Sequence, residues 1–172
     1  MTLPAAIARL PERTAEFGAQ LVQWAEINSG SGHRAGLDRM RAALRDEFGR
    51  LPGALVEELP CTGTADALRV SVRPDAKVRI LLNGHFDTVY EANDPFQQCR
   101  WLDAHTLNGP GVADMKGGLL TMLAALQAFE QTPHAANLGW DVLLTPDEET
   151  GSRGSTPLFR AAPQRVQFAL IF

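Results

Sequence analysis

The sequence predicts an α/β protein in which helices pack against a layered sheet. Two observations support this prediction. Apolar segments of strand length alternate along the chain with segments of helical periodicity, and this alternation is typical of α/β layers. The 172 residues are also 45% hydrophobic and 21% charged. That composition suits one globular domain with a substantial core and excludes a disordered or fibrous chain.

Apolar residues recur at helical spacing in several segments, and these segments are predicted to be helices. The predicted helices cover 11–28, 33–48, 115–129 and, as a short element, 152–161. Pro11 is suited to a first helical turn, and the small polar residues 28–32 end that helix. The helix over 115–129 is apolar around most of its circumference, so it is expected inside the protein.

The remaining apolar segments are predicted to be strands, at 54–59, 67–73, 78–82, 140–145 and 166–172. The strand over 67–73 alternates apolar and polar residues, which predicts that one face is buried and the other meets solvent. The segments 78–82 and 140–145 are uniformly apolar and are expected in the interior of the sheet. Between them, residues 91–111 are predicted to be irregular.

Composition narrows the possible partners and the setting of the protein. The net charge is −4 and no dense Lys/Arg run occurs, so no nucleic-acid partner is expected. No apolar run approaches the roughly 18 residues that span a bilayer, and residues 1–4 lack the basic start of a signal peptide. Cys61 and Cys99 have no metal-binding spacing and are expected as free thiols, which favours the cytoplasm.

Acidic and histidine side chains follow the predicted interior strands or precede the long helix. They are His85 with Asp87, Asp114, and the run Asp147, Glu148 and Glu149. The carboxyl ends of strands in an open α/β sheet meet at one edge, where ligands bind. We therefore expect the three groups to converge on a single site.

His85 and Asp87 lie two residues apart, so in an extended chain they project to the same side. Asp87 can then hold one ring nitrogen of His85 and leave the other nitrogen for a metal ion. The alternative is an ordinary histidine at a strand end beside an aspartate that forms a turn.

Asp114 lies between the glycine-containing stretch 109–111 and the predicted helix. One interpretation is that Asp114 caps the helix N-terminus. Gly117 and Gly118 weaken a helix start by about 1 kcal/mol each relative to Ala, which indicates that the backbone must approach another group closely. A phosphate-binding loop is excluded, because Lys116 precedes Gly117 instead of following a glycine and preceding Ser or Thr.

Asp147, Glu148 and Glu149 place three carboxylates side by side, and these repel one another unless a cation or a shared proton offsets the charge. Neighbouring residues on a turn point in different directions. One carboxylate can therefore bind a metal while the next transfers protons, as metal-assisted hydrolysis requires. A solvated acidic turn is the alternative.

Three sequence blocks together resemble a known family. They are GHFDTVY (84–90), GPGVADMKGG (109–118) and TPDEETGS (145–152). In order and spacing these blocks resemble the co-catalytic zinc peptidases, the aminoacylase and carboxypeptidase family (metallopeptidase family 20). The first and third blocks are most similar to its glutamate carboxypeptidase (carboxypeptidase G type) branch.

The resemblance implies a role for each site residue. His85 would bind one zinc ion, Asp114 would bridge two zinc ions, and Glu149 would bind the second. Glu148 would be the general base, and Asp87 would support His85. Cobalt or manganese stay open as alternatives to zinc. The peptide bond from Asp114 to Met115 would be cis.

The resemblance also implies the fold, the reaction and the extent of the chain. The fold would be a three-layer mixed sheet flanked by helices, and residues 1–172 would form the N-terminal part of the catalytic domain. The lid or dimerisation domain and the C-terminal catalytic segment would be absent. The implied reaction hydrolyses an amide beside a free carboxylate, in a small peptide or an N-acyl amino acid. A homodimer of the full-length protein is left open.

Two further metal ligands of the family have no counterpart in the chain: a carboxylate expected just beyond Phe172 and a late histidine. Catalytic zinc normally has three protein ligands. We therefore expect residues 1–172 alone to bind zinc weakly and to turn over little substrate. The alternative function is a non-catalytic fragment or pseudoenzyme that serves as an interaction module.

Overall fold

The computed structural model of the protein describes residues 4–172. Its centre is a five-stranded mixed sheet in the order β1-β2-β6-β3-β7. The strands are β1 (Leu55–Leu59), β2 (Ala67–Val72), β3 (Arg79–His85), β6 (Gly139–Thr145) and β7 (Phe168–Ile171), while β4 (Arg100–Trp101) and β5 (Leu107–Asn108) form a separate hairpin. β1, β2 and β6 pair antiparallel, and β3 pairs parallel with both β6 and β7. The α/β class predicted from the sequence and the mixed sheet implied by the family resemblance are both confirmed.

Helices cover both faces of this sheet. They are α1 (Ala5–Ala8), α2 (Thr14–Ala25), α3 (Arg34–Phe48), α4 (Gly117–Phe129) and α5 (Thr156–Ala161). Side chains of α2, α3 and α4 form the main core on one face, with Trp24, Phe48 and Trp140 fully buried. Leu158 and Phe159 of α5 pack on the other face, against Leu81 and Leu143. The molecule therefore has the three layers that the family resemblance implied.

Most predicted elements are present, with shifted ends. The first helix is preceded by a 3₁₀ turn at Leu10–Arg13, so the α-helix proper begins at Thr14. The helix expected from residue 115 begins at Gly117, because Asp114 and Met115 have non-helical backbone angles. The stretch 91–111 was predicted to be irregular throughout, but it contains the β4–β5 hairpin.

The expectation that β2 exposes one face is wrong. Every residue of β2 is buried except Arg69, which is half-buried. The hydroxyl of Ser71 hydrogen-bonds to Asp141 on β6, and Asp141 pairs with the buried Arg79 at 2.6 Å. Polar residues alternate along β2 because one face meets a buried polar network, not because it meets water.

Both cysteines lie in the part of the chain that the structure describes. Cys61 and Cys99 are both free cysteines. No helix within residues 4–172 is long and apolar enough to cross a membrane. The expectation about a signal peptide depends on residues 1–3, which lie outside the described residues.

The parallel pairing of β3 with β6 positions the predicted site. His85, the last residue of β3, is in register with Thr145, the last residue of β6. The Phe86 N–H donates to the Thr145 carbonyl at 2.9 Å. The loop after β3, which carries Asp87, and the loop after β6, which carries Glu148 and Glu149, therefore leave the sheet side by side at the same end of the strands.

Candidate metal and catalytic site

The imidazole of His85 lies at the centre of the site. Its Nδ1 is 3.2 Å from Oδ1 of Asp87, as the two-residue spacing predicts. Its Nε2 faces the opposite way, 3.0 Å from Oδ1 of Asp114 and 3.8 Å from Oε2 of Glu148. The ring is therefore held on one side and directed into a group of carboxylates on the other.

Asp87 connects His85 to the acidic loop after β6. Its side chain is fully buried. The backbone N–H groups of Glu148 and Glu149 each donate to one of its oxygens at 3.1 Å. The Ser31 hydroxyl donates to Oδ2 at 2.8 Å. Asp87 thus fixes the position of both glutamates as well as that of the imidazole.

Ser31 belongs to a segment, residues 28–32, that we call the serine strap. The strap runs beside the residues after β3: the Thr88 N–H donates to the Ser29 carbonyl at 2.9 Å, and the Ser31 N–H donates to the Thr88 carbonyl at 3.1 Å. The sequence pattern of the strap predicts only the end of a helix. A serine between two glycines is an unusual helix end, but nothing in the local pattern identifies its partner.

Asp114 approaches His85 from the start of α4, and its side chain is 73% exposed. It does not cap the helix: Lys116 occupies the cap position and no side-chain cap hydrogen bond is formed. The interpretation of Asp114 as an N-cap is therefore wrong. The Asp114–Met115 peptide bond is cis, as the family resemblance implied.

Of the two glycines after Asp114, only Gly117 lies close to other backbone atoms as predicted, whereas a Cβ on Gly118 would lie nearest the Met115 side chain, at 3.1 Å. A Cβ on Gly117 would lie 2.6 Å from the Val112 carbonyl oxygen. The group that is approached is the chain's own backbone. Beside it, the Lys116 side chain is 1% exposed and its Nζ donates to the Ile27 carbonyl at 2.8 Å. Lys116 therefore ties the Asp114 segment to the chain just before the serine strap, and burial lowers the pKa of Lys116 to about 8.

The three adjacent carboxylates of the acidic loop have different environments. Asp147 is buried, and its Oδ2 accepts the N–H groups of Gly154 at 2.7 Å and Ser155 at 3.2 Å. Glu148 is exposed and Glu149 is half-buried. This loop is therefore not a simple solvated acidic turn. The buried Asp147 carboxylate stabilises the turn by accepting hydrogen bonds from its backbone, and the two glutamates are left facing the site.

Negative charge dominates the electrostatics of the site. Burial lowers the pKa of His85, but the hydrogen bond to Asp87 and the charges of Asp87, Glu148 and Asp114 outweigh it and raise the pKa to about 9. Burial raises the pKa of Glu149, and the charges of Asp114, Asp87 and Glu148 add to that effect against the opposing charge of His85. An array of carboxylates around one imidazole favours a bound cation.

The donor atoms of the site lie close enough together to hold a metal ion. Single ligand atoms of His85, Glu148 and Glu149 lie within 4.8 Å of one another. Asp114 contributes a further carboxylate beside Nε2 of His85. Imidazole nitrogen and carboxylate oxygen are zinc ligands, and the contact between Asp87 and Nδ1 is the support that a metal-binding histidine usually has.

Comparison with known proteins agrees with this arrangement. The sequence model of Peptidase family M20/M25/M40 matches residues 81–172, more than half of the chain. The chain therefore belongs to this peptidase family. It is also 28% identical over 152 residues to carboxypeptidase G2 of Pseudomonas sp. (strain RS-16), a match that covers 85% of this chain and 35% of that protein.

Two solved structures show the same fold. Human carnosine dipeptidase 1 superposes with a TM-score of 0.80 at 21% identity, covering 96% of this chain and 40% of the other. The M20 family metallo-carboxypeptidase Sso-CP2 from Sulfolobus solfataricus superposes with a TM-score of 0.72 at 17% identity, covering 91% and 37%. The chain thus spans well under half the length of these relatives.

Proposed function

We propose that residues 1–172 form the N-terminal part of the catalytic domain of a metal-dependent hydrolase that cleaves an amide or peptide bond. The observation that carries this proposal is the convergence on His85. Its Nε2 is 3.0 Å from Asp114 and 3.8 Å from Glu148, although the three residues come from separate segments of the chain. In a member of a peptidase family, such an array at the sheet edge is best explained as the hydrolytic centre.

His85, Asp114 and Glu149 are the proposed metal ligands, for two zinc ions or for cobalt or manganese in their place. The buried Asp87 holds Nδ1 of His85, so Nε2 is the nitrogen available to a metal. When bound, such ions supply Lewis acidity, which lowers the pKa of water and polarises an amide carbonyl.

Glu148 is the proposed general base. Its side chain is 55% exposed, so it can meet water and substrate. Its backbone N–H donates to Oδ1 of Asp87 at 3.1 Å, and this hydrogen bond holds the Glu148 backbone in place beside the site. In this role the Glu148 carboxylate accepts a proton from water and later donates it to the leaving amine. Asp87 acts through the residues that it positions and does not touch the substrate.

The proposed substrate is a small peptide or an N-acyl amino acid with a free carboxylate beside the scissile amide. The names of the relatives support this class, since they include carboxypeptidases and a dipeptidase. The acidic charge balance of the chain gives no reason to expect a nucleic-acid partner. We place the protein in the cytoplasm and away from membranes, and we leave a homodimer of the full-length protein as part of the same proposal.

Metal analysis combined with a substrate panel tests this function. The full-length protein and the 172-residue chain are dialysed against metal-free buffer, analysed for zinc, and incubated with dipeptides and N-acyl amino acids. We expect the full-length protein to retain two zinc ions and to hydrolyse part of the panel, and the shorter chain to retain less metal and hydrolyse little. A full-length protein without metal and without hydrolysis would contradict the proposal and favour a non-catalytic interaction module.

A further inference from the structure

The side chain of Met115 connects the two segments that carry His85 and Asp114. Met115 follows Asp114 directly in the sequence and is 5% exposed. The backbone N–H of His85 donates a hydrogen bond to Sδ of Met115, and the nitrogen and the sulfur are 3.0 Å apart. The two residues are 30 positions apart along the chain. One thioether therefore joins the end of β3 to the segment before α4.

Two glycines provide the space that Met115 occupies. A Cβ on Gly84, beside His85, would lie 2.7 Å from Cε and 3.2 Å from Sδ of Met115. A Cβ on Gly118 would lie 3.1 Å from the same Cε. Neither of these glycines has a positive φ angle, so their role is to leave space and not to adopt an unusual backbone conformation. Both glycines thus leave room for this one side chain between β3 and α4.

The sulfur gives Met115 a property that other apolar residues of similar size lack. A thioether is a weak hydrogen-bond acceptor, whereas the side chains of leucine and isoleucine accept no hydrogen bond. His85 is buried, and a buried backbone N–H without an acceptor destabilises the conformation that contains it. Packing alone does not require a sulfur atom at this position, but the His85 N–H does.

This hydrogen bond and the contact with Asp87 restrain different parts of His85. Asp87 lies against Nδ1 and restrains the ring, whereas Met115 binds the N–H and restrains the main chain from which the ring extends. The free nitrogen, Nε2, is 3.0 Å from Oδ1 of Asp114, the residue next to Met115. The hydrogen bond to sulfur therefore joins the same two segments that a metal ion at His85 and Asp114 would join.

We propose that Met115 is a positioning residue for the metal centre. Its thioether accepts the His85 N–H and so holds the imidazole of His85 at the distance from the Asp114 carboxylate that metal binding needs. This inference rests on the proposed function and adds a residue to it. Met115 acts through His85 and Asp114 and touches neither the substrate nor the metal.

Two replacements of methionine in the full-length protein test the sulfur atom itself. Selenomethionine keeps an acceptor atom, and norleucine replaces it with a methylene group of similar size. Zinc affinity is measured by competition with a chromogenic chelator, which needs no turnover. We expect the selenomethionine protein to bind zinc as the wild type does. The norleucine protein should bind zinc at least about tenfold more weakly, as is typical when a group that supports a metal ligand is lost.

Single substitutions assign the effect to Met115. We expect Met115→Leu to weaken zinc binding at least about tenfold. Met122→Leu is the matched control, because Met122 lies on α4, is 0% exposed and accepts no hydrogen bond from a described residue. Its zinc affinity should equal that of the wild type. In Met115→Leu, norleucine should weaken zinc binding no further, since the sulfur concerned is already absent.

Hydrogen exchange measures the contact in the absence of metal. The His85 amide hydrogen should exchange at least about tenfold faster in the norleucine protein than in the selenomethionine protein, because it has lost its acceptor. Peptides from β2 should exchange at the same rate in both proteins. Mass spectrometry of the metal-free, full-length protein measures these rates, and the comparison holds even if Met115→Leu does not fold.

Equal zinc affinities of the selenomethionine and norleucine proteins would overturn the positioning role, and equal exchange at His85 would overturn the hydrogen bond on which it depends. Both results leave the proposed function standing. A loss of zinc affinity in Met122→Leu as large as that in Met115→Leu would also overturn the role, because a general loosening of the core would then explain both. An absence of zinc binding in the full-length wild type would instead overturn the proposed function, and the role of Met115 with it.

Discussion

The carboxylate of Asp87 is shielded from solvent and receives hydrogen bonds from two distant parts of the chain. The Ser31 hydroxyl reaches it from the serine strap, and the Glu148 and Glu149 amides reach it from the acidic loop. A buried carboxylate costs several kcal/mol unless hydrogen bonds satisfy its oxygens. Each donor to Asp87 therefore supports both the stability of the fold and the geometry of the proposed site.

Removal of the Ser31 hydroxyl tests this dependence. We expect Ser31→Ala to lower the free energy of unfolding by about 1–2 kcal/mol, because a buried carboxylate loses a donor. Ser29→Ala is the matched control, since the buried Ser29 hydroxyl has no hydrogen-bond partner among the described residues. Urea denaturation measures both variants. Equal losses in the two would contradict the role of Ser31.

At the scale of single residues, the sequence predicts contacts that follow from short spacing and misses contacts that cross the fold. The contact of His85 with Asp87 was predictable because alternate residues of an extended chain share a side. The contact of Ser31 with Asp87 joins residues 56 positions apart. No local pattern encodes a pairing of that kind, because the pairing exists only after the strap has packed beside β3.

Helix α3 packs so closely against the serine strap that one position of the helix has no space for a side chain larger than that of glycine. Gly36 lies in the first turn of α3, and a Cβ there would collide with the carbonyl oxygen of Asn28. Gly18 lies inside α2, and a Cβ there would meet only the side-chain ring of Trp101, at 3.2 Å. A backbone oxygen cannot move aside without displacing the strap, whereas an indole that is half exposed can rotate.

These two glycines give a paired prediction. Gly→Ala in a helix interior stabilises a protein by about 1 kcal/mol when there is space for the methyl group. We expect Gly36→Ala to lower the melting temperature despite this gain, and Gly18→Ala to leave it unchanged or raise it slightly. Thermal unfolding followed by circular dichroism measures both. A melting temperature for Gly36→Ala at or above that of the wild type would contradict this prediction, because it would show that the strap backbone moves to accommodate the methyl group.

At the scale of elements, periodicity predicts what is buried and not where an element begins. The apolar segment that became α4 was found, but its start was placed two residues early, since Asp114 and Met115 differ from helical residues only in their backbone angles. The alternation along β2 gave the right strand and the wrong surroundings. A polar residue that faces a buried Asp141 and one that faces water are the same in a sequence pattern.

A buried ion pair links the helical layer to the sheet in the molecule as a whole. Glu130, just after α4, pairs with Arg73 after β2 and accepts the Trp140 indole N–H at 2.8 Å. Burial raises the pKa of Glu130, but the hydrogen bonds from Arg73 and Trp140 and the charge of Arg73 outweigh it, so the pKa falls below its ordinary 4.5. This pair should therefore stabilise the fold above about pH 4.5 and lose its effect as the pH falls through the lower folded pKa.

Glu130→Gln tests the ion pair. We expect it to reduce the free energy of unfolding by about 2 kcal/mol at pH 7, with the difference from the wild type shrinking below pH 4.5 as Glu130 becomes protonated. Glu16→Gln is the control, because Glu16 pairs with Arg13 on the surface and is 61% exposed, where ion pairs contribute little. A loss for Glu130→Gln that stays constant from pH 7 to pH 3 would contradict the assignment.

The edge strand β7 exposes large apolar side chains. Phe168 is 66% exposed and Ile171 is 72% exposed. Unpaired, apolar sheet edges favour association between molecules. We expect the 172-residue chain to self-associate as its concentration rises and Phe168→Lys to reduce this association. Val78→Lys is the control, since Val78 is 45% exposed but lies outside β7. Light scattering after size-exclusion chromatography measures the mass, and equal masses for the two variants would contradict the involvement of β7.

At the scale of the whole molecule, the layered α/β architecture was predictable because strand-length and helix-length segments alternate along the chain. The location of the candidate site was predictable, because acidic residues follow the carboxyl ends of the strands in the sequence. The cavity lined by Tyr90, Leu107 and Asp114 was not predictable, because it lies between Tyr90, the β5 strand and the Asp114 segment. Those parts meet only through the hairpin that periodicity did not detect.

The central claim of the proposed function is that two adjacent glutamates have different roles: Glu149 binds a metal ion and Glu148 transfers protons. Conservative amide variants of the two residues in the full-length protein, each analysed for zinc content and turnover, test it most directly. We expect Glu148→Gln to keep its zinc while kcat falls by about 10² to 10⁴-fold, and Glu149→Gln to lose both zinc and activity. Loss of zinc in Glu148→Gln, or turnover equal to that of the wild type, would contradict the account.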